Sequence, residues 1–199
     1  MTAPDNRDLH EQILLTAKRK FIQQGYHGLA MRQISDELGV SKAALYYHFK
    51  DKEELFLAIL EAYLDEMGAA LDDILAEPLS CRERIRRFIE FVLGQPSDQR
   101  AIIRLASQEM GQLAAGSRSA FEKIYREKFI GKIEAMLKAG MANGELRTFQ
   151  PEVATWTLLG SMYPYFYPAH AGNVSVSAET IRQVVSICLD GMTTPQAKK

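Results

Sequence analysis

The stretch that most restricts how this chain can fold is LGVSKAALYYHF, Leu38 to Phe49. Met31, Ile34 and Leu38 form a short apolar stripe at helical spacing, and Gly39 follows as a natural residue just past a helix end. Ser41 can then cap the N-terminus of a second short helix, Lys42 to His48. Two short helices joined by so tight a turn have the sequence form of a helix-turn-helix. Leu45 and Phe49 lie four residues apart and share a helix face. With Phe21, Ile34, Leu38 and Val40 they can make a small core. Tyr46 and Tyr47 then project away from it, and His48 sits at its edge. Lys42 and Ala43 fall in the first turn, where a helix set into a major groove meets base edges. Ala43 and Ala44 are small enough to let the helix approach closely.

Seen this way, the paired tyrosines are amphipathic arms. Each ring can pack along a sugar-phosphate chain while its hydroxyl donates to a phosphate oxygen. The alternative is that Tyr46 and Tyr47 only cover a three-helix unit and that His48 only caps local packing. Charge points the same way as the tyrosines. The whole chain is nearly neutral, at −1. Between Ala17 and Lys52, however, Lys18, Arg19, Lys20, Arg32, Lys42, Lys50 and Lys52 face only Asp36, Glu37 and Asp51. A local excess of cations suits phosphate, although an ordinary solvated face has the same composition. Lys52 opens a long helix, where backbone N–H groups already favour an anion.

The rest of the chain is helical in pattern. Leu9, Ile13, Ala17 and Phe21 form a first stripe that Gly25 ends. Asp51 with Glu54 resembles a capping box, and it opens a long helix carrying Phe56, Ile59, Leu60, Tyr63, Met67, Leu71 and Ile74, which Pro78 stops. Further helices are expected near 80–94, 98–114, 117–142, 150–168 and 177–192, with breaks at Gly94-Gln95-Pro96, Gly116, Asn143-Gly144 and Ala171-Gly172-Asn173. No strand, internal repeat or low-complexity tract is evident. The expected fold class is all-α with about nine helices. A DNA-binding domain is expected over 7–52, with the helix-turn-helix proper at about 30–49, and a larger helical domain over 53–193.

Other chemistries find little support. Cys81 and Cys188 are far apart and in no motif, which fits a reducing cytosol and a cytoplasmic protein. His10, His27, His48 and His170 lack metal-ligand spacing, and the acidic run Asp65, Glu66, Asp72, Asp73 also describes a solvated face. No cofactor, metal or catalytic constellation is expected. MTAPDNRDLHEQ has no apolar core of a signal peptide, and no apolar run approaches the ~18 residues of a membrane span.

The segment GYHGLAMRQISDELGVSKAALYYHFKDKEELF resembles the DNA-binding domain of the tetracycline-repressor, or TetR-type, family of bacterial transcriptional regulators. Phe21, Gly25-Tyr26, Arg32, Ile34, Leu38 to Ser41, Leu45 to Phe49 and Lys52 to Leu55 carry the resemblance, across roughly residues 9 to 60. It implies an Ω-shaped homodimer that places the third helix of each copy in a major groove of double-stranded DNA. Arg32, Lys42, Ala43, Tyr46, Tyr47, His48 and Lys52 would be the DNA contacts. Two positions depart from the family. Leu29 and Ala30 stand where Thr or Ser is usual, which removes an N-cap hydroxyl worth about 1 kcal/mol, and Ala43 replaces a common Gly.

For the larger domain the resemblance implies a cavity for a small molecule. Phe88, Phe91, Met110, Tyr125, Phe129, Trp156 and Tyr163 are candidates to line it, as are Phe121 and Met136, and each could equally be plain core. Pro164 and Pro168 should distort an aromatic helix there. Such a site would suit an apolar or aromatic ligand. On the last helix Ile181, Val184, Val185, Cys188 and Leu189 form an apolar stripe, expected to pair with the preceding helix of a two-fold mate in a four-helix bundle. A stripe buried within its own subunit is the alternative. The expected function is a DNA-binding transcriptional regulator, most simply a repressor released from a pseudo-palindromic operator by that ligand. The alternative is a ligand-independent architectural or division-site factor on the same fold.

Overall fold

The structure, a computed structural model, describes residues 6–167 and 176–192, and within them the side chains of residues 8–167 and 176–190. All its α and π elements are helical: α1 (Asn6–Gly28), α2 (Met31–Leu38), α3 (Lys42–His48), α4 (Lys52–Ala76), α5 (Cys81–Gly94), α6 (Ser97–Glu109), α7 (Ala115–Tyr125), α8 (Gly131–Ala142), α9 (Pro151–Met162) and α10 (Ala178–Met192). A π-helical segment, Arg126–Ile130, joins α7 to α8 with helical backbone angles at both junctions. Taking α7 and α8 as one continuous helix, the ten α segments make nine helices among the described residues, the number that the periodicity suggests.

The punctuation follows the sequence closely. Gly25 interrupts α1 with φ 73°, a left-handed conformation that glycine adopts without steric cost. Gly39 ends α2 at φ 64°. Ser41 Oγ accepts from the Ala44 N–H at 3.1 Å and starts α3. Asp51 Oδ1 accepts from Glu54 N–H at 2.8 Å, and Glu54 Oε2 accepts in return from Lys50 N–H at 2.7 Å. Pro164 does not prolong α9; Tyr163–Phe166 tightens into a 3₁₀ turn. Pro168 and His170 lie outside the described residues.

By its contacts the chain divides into two compact units. The first takes the residues up to Tyr63 together with Ala101–Phe121; the second takes Leu64–Arg100 and the residues from Glu122 on. The division expected at 52/53 falls inside the first unit. The reason is that the opening turns of α4 complete the core of the small head: Phe56 meets Phe21 edge-on at 5.2 Å and Tyr26 at 5.1 Å between ring centroids. Residues 101–121 join the same unit, where Glu53 accepts from Ala114 N–H at 3.3 Å and His27 lies 3.6 Å from Glu109.

In the second unit α5 packs on α8 and α10, and α9 packs on both of these as well. Ile85, Phe88, Ile89, Ile133, Leu137 and Leu158 are wholly enclosed. Helices α5 and α8 come very close at one end, where a β-carbon on Gly140 would collide with the Cys81 sulfur. Burial pushes that thiol up to about 11, so Cys81 is a packing residue with little thiolate near neutral pH. The acidic run on α4 faces cations: Asp65 meets Lys128 at 2.6 Å and Asp72 meets Lys132 at 2.5 Å. Among the described residues no group of His, Cys, Asp or Glu could hold a metal ion, and no helix is long and apolar enough to cross a membrane.

Candidate nucleic-acid interface

Helix α3 is held by its inner face and open on its outer one. Leu45 and Phe49 are buried together with Phe21 and Ile34, as the spacing requires, whereas Leu38 and Val40 are only half-buried at the rim. With the inner face fixed, Tyr47 stands 77% exposed and Tyr46 40% exposed. Two large rings left in water next to a cation are uncommon on a head this small. The Lys42 ammonium lies over the Tyr46 ring, 5.5 Å from its centroid. Ala43 is exposed and Ala44 half-buried, so the first turn of α3 carries no bulk.

His48 is held from the side. Its ring meets His10 of α1 at 5.7 Å and Tyr47 at 5.5 Å, and His10 in turn stacks on Phe49 at 4.9 Å. His48 therefore orients Tyr47 while remaining half-exposed at the helix C-terminus. Arg32, on α2, is exposed and lies 3.5 Å from Asp36 one turn on, a surface pair that costs little to open.

Charge is more localised than the composition suggests. Arg19 and Lys20 both pair with Glu37. Lys52 is largely committed as well: its ammonium donates to Tyr26 O at 2.8 Å and Leu29 O at 3.1 Å, and lies 4.5 Å from the Tyr26 ring centroid. Two of its three donors thus tie α4 to the end of α1, and one remains for a phosphate. No carboxylate pairs with Lys42 or Lys50 among the described residues, which leaves these two cations on either side of the tyrosines.

The departure at Leu29 and Ala30 has a structural answer. Leu29 is buried and fills the head's core, which a hydroxyl residue would not. Ala30 supplies no side-chain cap to α2, but Gln33 Oε1 accepts from Ala30 N–H at 2.7 Å. Half of a capping box survives, supplied by a glutamine that sequence reasoning passed over.

In the second unit the structure brings together only some of the expected ligand residues. Phe88 and Phe129 are buried with centroids 5.9 Å apart, and Tyr125 stacks on Phe129 at 5.8 Å. Burial pushes the Tyr125 hydroxyl up to about 12. Phe91 and Tyr163 are half-buried, and Met136 is buried. Tyr163 shares a hydrogen bond with Tyr167 at 3.0 Å. Met110 and Phe121, both half-buried, belong to the other unit. Trp156 does not line an interior: it lies 46% exposed on α9, on the same face as exposed Val153 three residues earlier.

The stripe on α10 is covered within the chain, the alternative to pairing with a mate. Val184, Val185, Cys188 and Leu189 are buried within the single chain, and the Cys188 thiol donates to Ser161 Oγ on α9 at 3.2 Å. Ile181 is half-buried beside them. Within the chain this face packs against α5 and α9. Among the described residues, the large apolar side chains left outside on the two helices are Val153, Trp156 and Ile187, the last 74% exposed. An amphipathic stripe tells which face is covered, and does not tell whether the cover comes from the same chain.

Comparison with known proteins agrees with this geometry. Residues 13–59 match the sequence model of the bacterial regulatory proteins of the tetR family, and residues 78–166 match that of the tetracyclin repressor-like C-terminal domain. The transcriptional activator FasR of Mycolicibacterium smegmatis is 38% identical over 79 residues, 40% of this chain and only 36% of FasR. The transcriptional repressor KstR2 of Rhodococcus jostii is 25% identical over 189 residues, 92% of this chain and 91% of KstR2. A TetR/AcrR-family transcriptional regulator from Thermobifida fusca superposes with a TM-score of 0.71 at 31% identity, over 92% of this chain and 98% of that one. Head and larger unit are thus both accounted for, and the chain belongs to the TetR family of bacterial regulatory proteins, as a DNA-binding transcriptional regulator.

Proposed function

We propose that the protein is a cytoplasmic homodimeric repressor without catalytic activity, which holds a pseudo-palindromic operator and leaves it when a small apolar or aromatic molecule occupies the second unit. The observation that carries the DNA half is the outer face of α3. Tyr46 and Tyr47 are exposed between Lys42 and Lys50, on a helix whose inner face is anchored by Leu45 and Phe49. Lys42 and Ala43 would meet base edges; Tyr46, Tyr47 and His48 would lie along the backbone; Arg32 and the last donor of Lys52 would take phosphates. KstR2, which matches over nearly the whole chain, is named a repressor, whereas the activator FasR matches over the shorter segment, and this supports the sign of regulation.

The second copy would meet Val153, Trp156 and Ile187 on α9 and α10, an isologous face in which each patch meets its own counterpart. Release follows from linkage. A ligand bound near Phe88, Tyr125 and Phe129 shifts the protein only by the difference in its affinity for the DNA-competent and DNA-incompetent conformations.

The direct test is selection of fragments of the protein's own genome by the purified protein, followed by sequencing. The expected result is enrichment of a few intergenic segments carrying an inverted repeat. Uniform recovery of the genome would overturn the operator-specific reading.

A further inference from the structure

His10, on α1, is not among the DNA contacts expected of this chain, yet it is the residue that seats His48. Its ring stacks on Phe49 at 4.9 Å and meets the His48 ring at 5.7 Å, and His48 meets Tyr47 at 5.5 Å. Both histidines are half-buried. Both also line a recess of about 390 Å³ in the head. The other charged groups on its wall are Lys50, Asp51, Glu53, Glu54 and Glu61, and Ser117, which α7 contributes, is neutral. Four carboxylates thus face one ammonium. Backbone N–H groups of Glu54, Ala114 and Lys50 hold Asp51, Glu53 and Glu54 in place. On α1 itself Asp8 and Glu11 flank His10; both are exposed, and Gln12 donates to Asp8 at 3.0 Å.

The outer face of α3 therefore backs onto acid. A phosphate arriving at Tyr47 and His48 is drawn by Lys42 and Lys50 and repelled by these carboxylates. His48 touches both the recess and Tyr47. A proton taken up there screens one anion from the other without moving a side chain. Histidine is the side chain whose ordinary titration falls between about pH 5 and pH 8. Two imidazoles this close titrate as a pair, and the first proton opposes a second, so the pair takes up one proton and not two.

We propose, on the reading of α3 as the DNA-contacting helix, that His10 and His48 form a single proton-binding unit that fills when DNA binds, so that operator affinity rises as pH falls. His48 faces the phosphate; His10 is the positioning residue, which holds the His48 ring and shares its proton. By linkage, DNA that raises the pair's affinity for a proton about ten-fold is bound up to about ten-fold more tightly once the pair is protonated. The gain is complete below the pH at which the free pair titrates, and it is lost as pH rises through the higher titration of the complex.

Calorimetric titration of the full-length protein with the selected operator duplex, in PIPES and in imidazole buffer at about pH 7, counts the protons taken up. A substantial fraction of one proton is expected, with binding about five-fold or more tighter at about pH 6 than at about pH 8. In His10→Gln, and in His10→Phe, which keeps a ring against Phe49, the uptake should fall well below that of the wild type whatever the loss of affinity. His48→Gln should do the same. Equal affinity at the two pH values without uptake overturns the proton-binding unit and leaves the DNA reading of α3 in place. Uptake unchanged in a folded His10 variant also overturns it, as a proton lodged at His27 beside Glu109 would produce. If neither His10 variant folds, the wild-type proton count and His48→Gln decide. If the duplex is bound at neither pH, the DNA reading of α3 fails and the proton-binding unit fails with it.

Discussion

Apart from Leu15 on α1, the large apolar side chains left in water among the described residues fall in two regions, and the two differ. On α3 the exposed groups are Tyr46 and Tyr47, rings that end in hydroxyls with Lys42 beside them. On α9 and α10 they are Val153, Trp156 and Ile187, of which only the indole carries a polar atom. The first chemistry suits a polyanion that can accept hydrogen bonds; the second suits another apolar surface. Degree of exposure does not separate them, since Tyr47 and Ile187 are almost equally open. The polar atoms at the ends of the side chains do.

The largest effect is expected where the comparison is sharpest, between two residues two positions apart on α10. Ile187→Glu should give a folded protein that sediments as a monomer at micromolar concentration and binds a full operator at least a hundred-fold more weakly. Val185→Glu should instead destabilise the chain itself by several kcal/mol, because its charge is forced into a face buried against α5 and α9. A stable dimeric Val185→Glu protein, or an unfolded Ile187→Glu one, would reverse the assignment of inner and outer faces.

On the head, the two lysines should separate. Lys42→Ala should relax preference at one or two base pairs, with a cost of about 1–3 kcal/mol on the selected operator if the contact is of bidentate quality, and less on random DNA. Lys52→Ala should lower affinity for all sequences and flatten the salt dependence by about one unit of log–log slope. It should also lower the thermal midpoint, because two carbonyls lose their donor. Binding isotherms at several salt concentrations and one melting curve check both. Equal losses for Lys42→Ala on specific and random DNA would remove it as a base reader.

The smallest effect concerns α2. Ala30→Ser should restore the missing N-cap oxygen and raise stability by about 0.5–1 kcal/mol in denaturant unfolding. No gain would mean that the Gln33 contact already satisfies the helix start.

Why one region was legible in the sequence and the other was not follows from how each is specified. The head is built from local signals. Gly39, Ser41 and the Asp51–Glu54 pair each fix a helix end within four residues, and Leu45 with Phe49 fixes which face of α3 turns inward. The exposed tyrosines follow from that face. Lys52 was harder, because its partners, Tyr26 O and Leu29 O, lie more than twenty residues away in the chain. In the second unit the periodicity of α10 marked an apolar face correctly, but α5 covers it, and periodicity carries no information about which helix does so. Trp156 precedes the Pro164 break by eight residues, which does not tell which face it occupies; Val153, one turn before it and also exposed, points to an outer face. Arg100, in SDQRAIIR, looks like a surface cation in any reading by pattern. Only the backward turn of its side chain to the end of α5 removes it from water.

Whether α3 reads an operator through its outer face in a two-fold arrangement is decided by hydroxyl-radical footprinting on the selected operator, with wild-type protein and Tyr47→Ala side by side. Two protected tracts are expected on one face of the duplex, centred about 34–36 Å apart, both weakened in Tyr47→Ala under conditions where that variant remains folded and dimeric. A single protected tract, or two tracts unchanged by the loss of Tyr47, would contradict it.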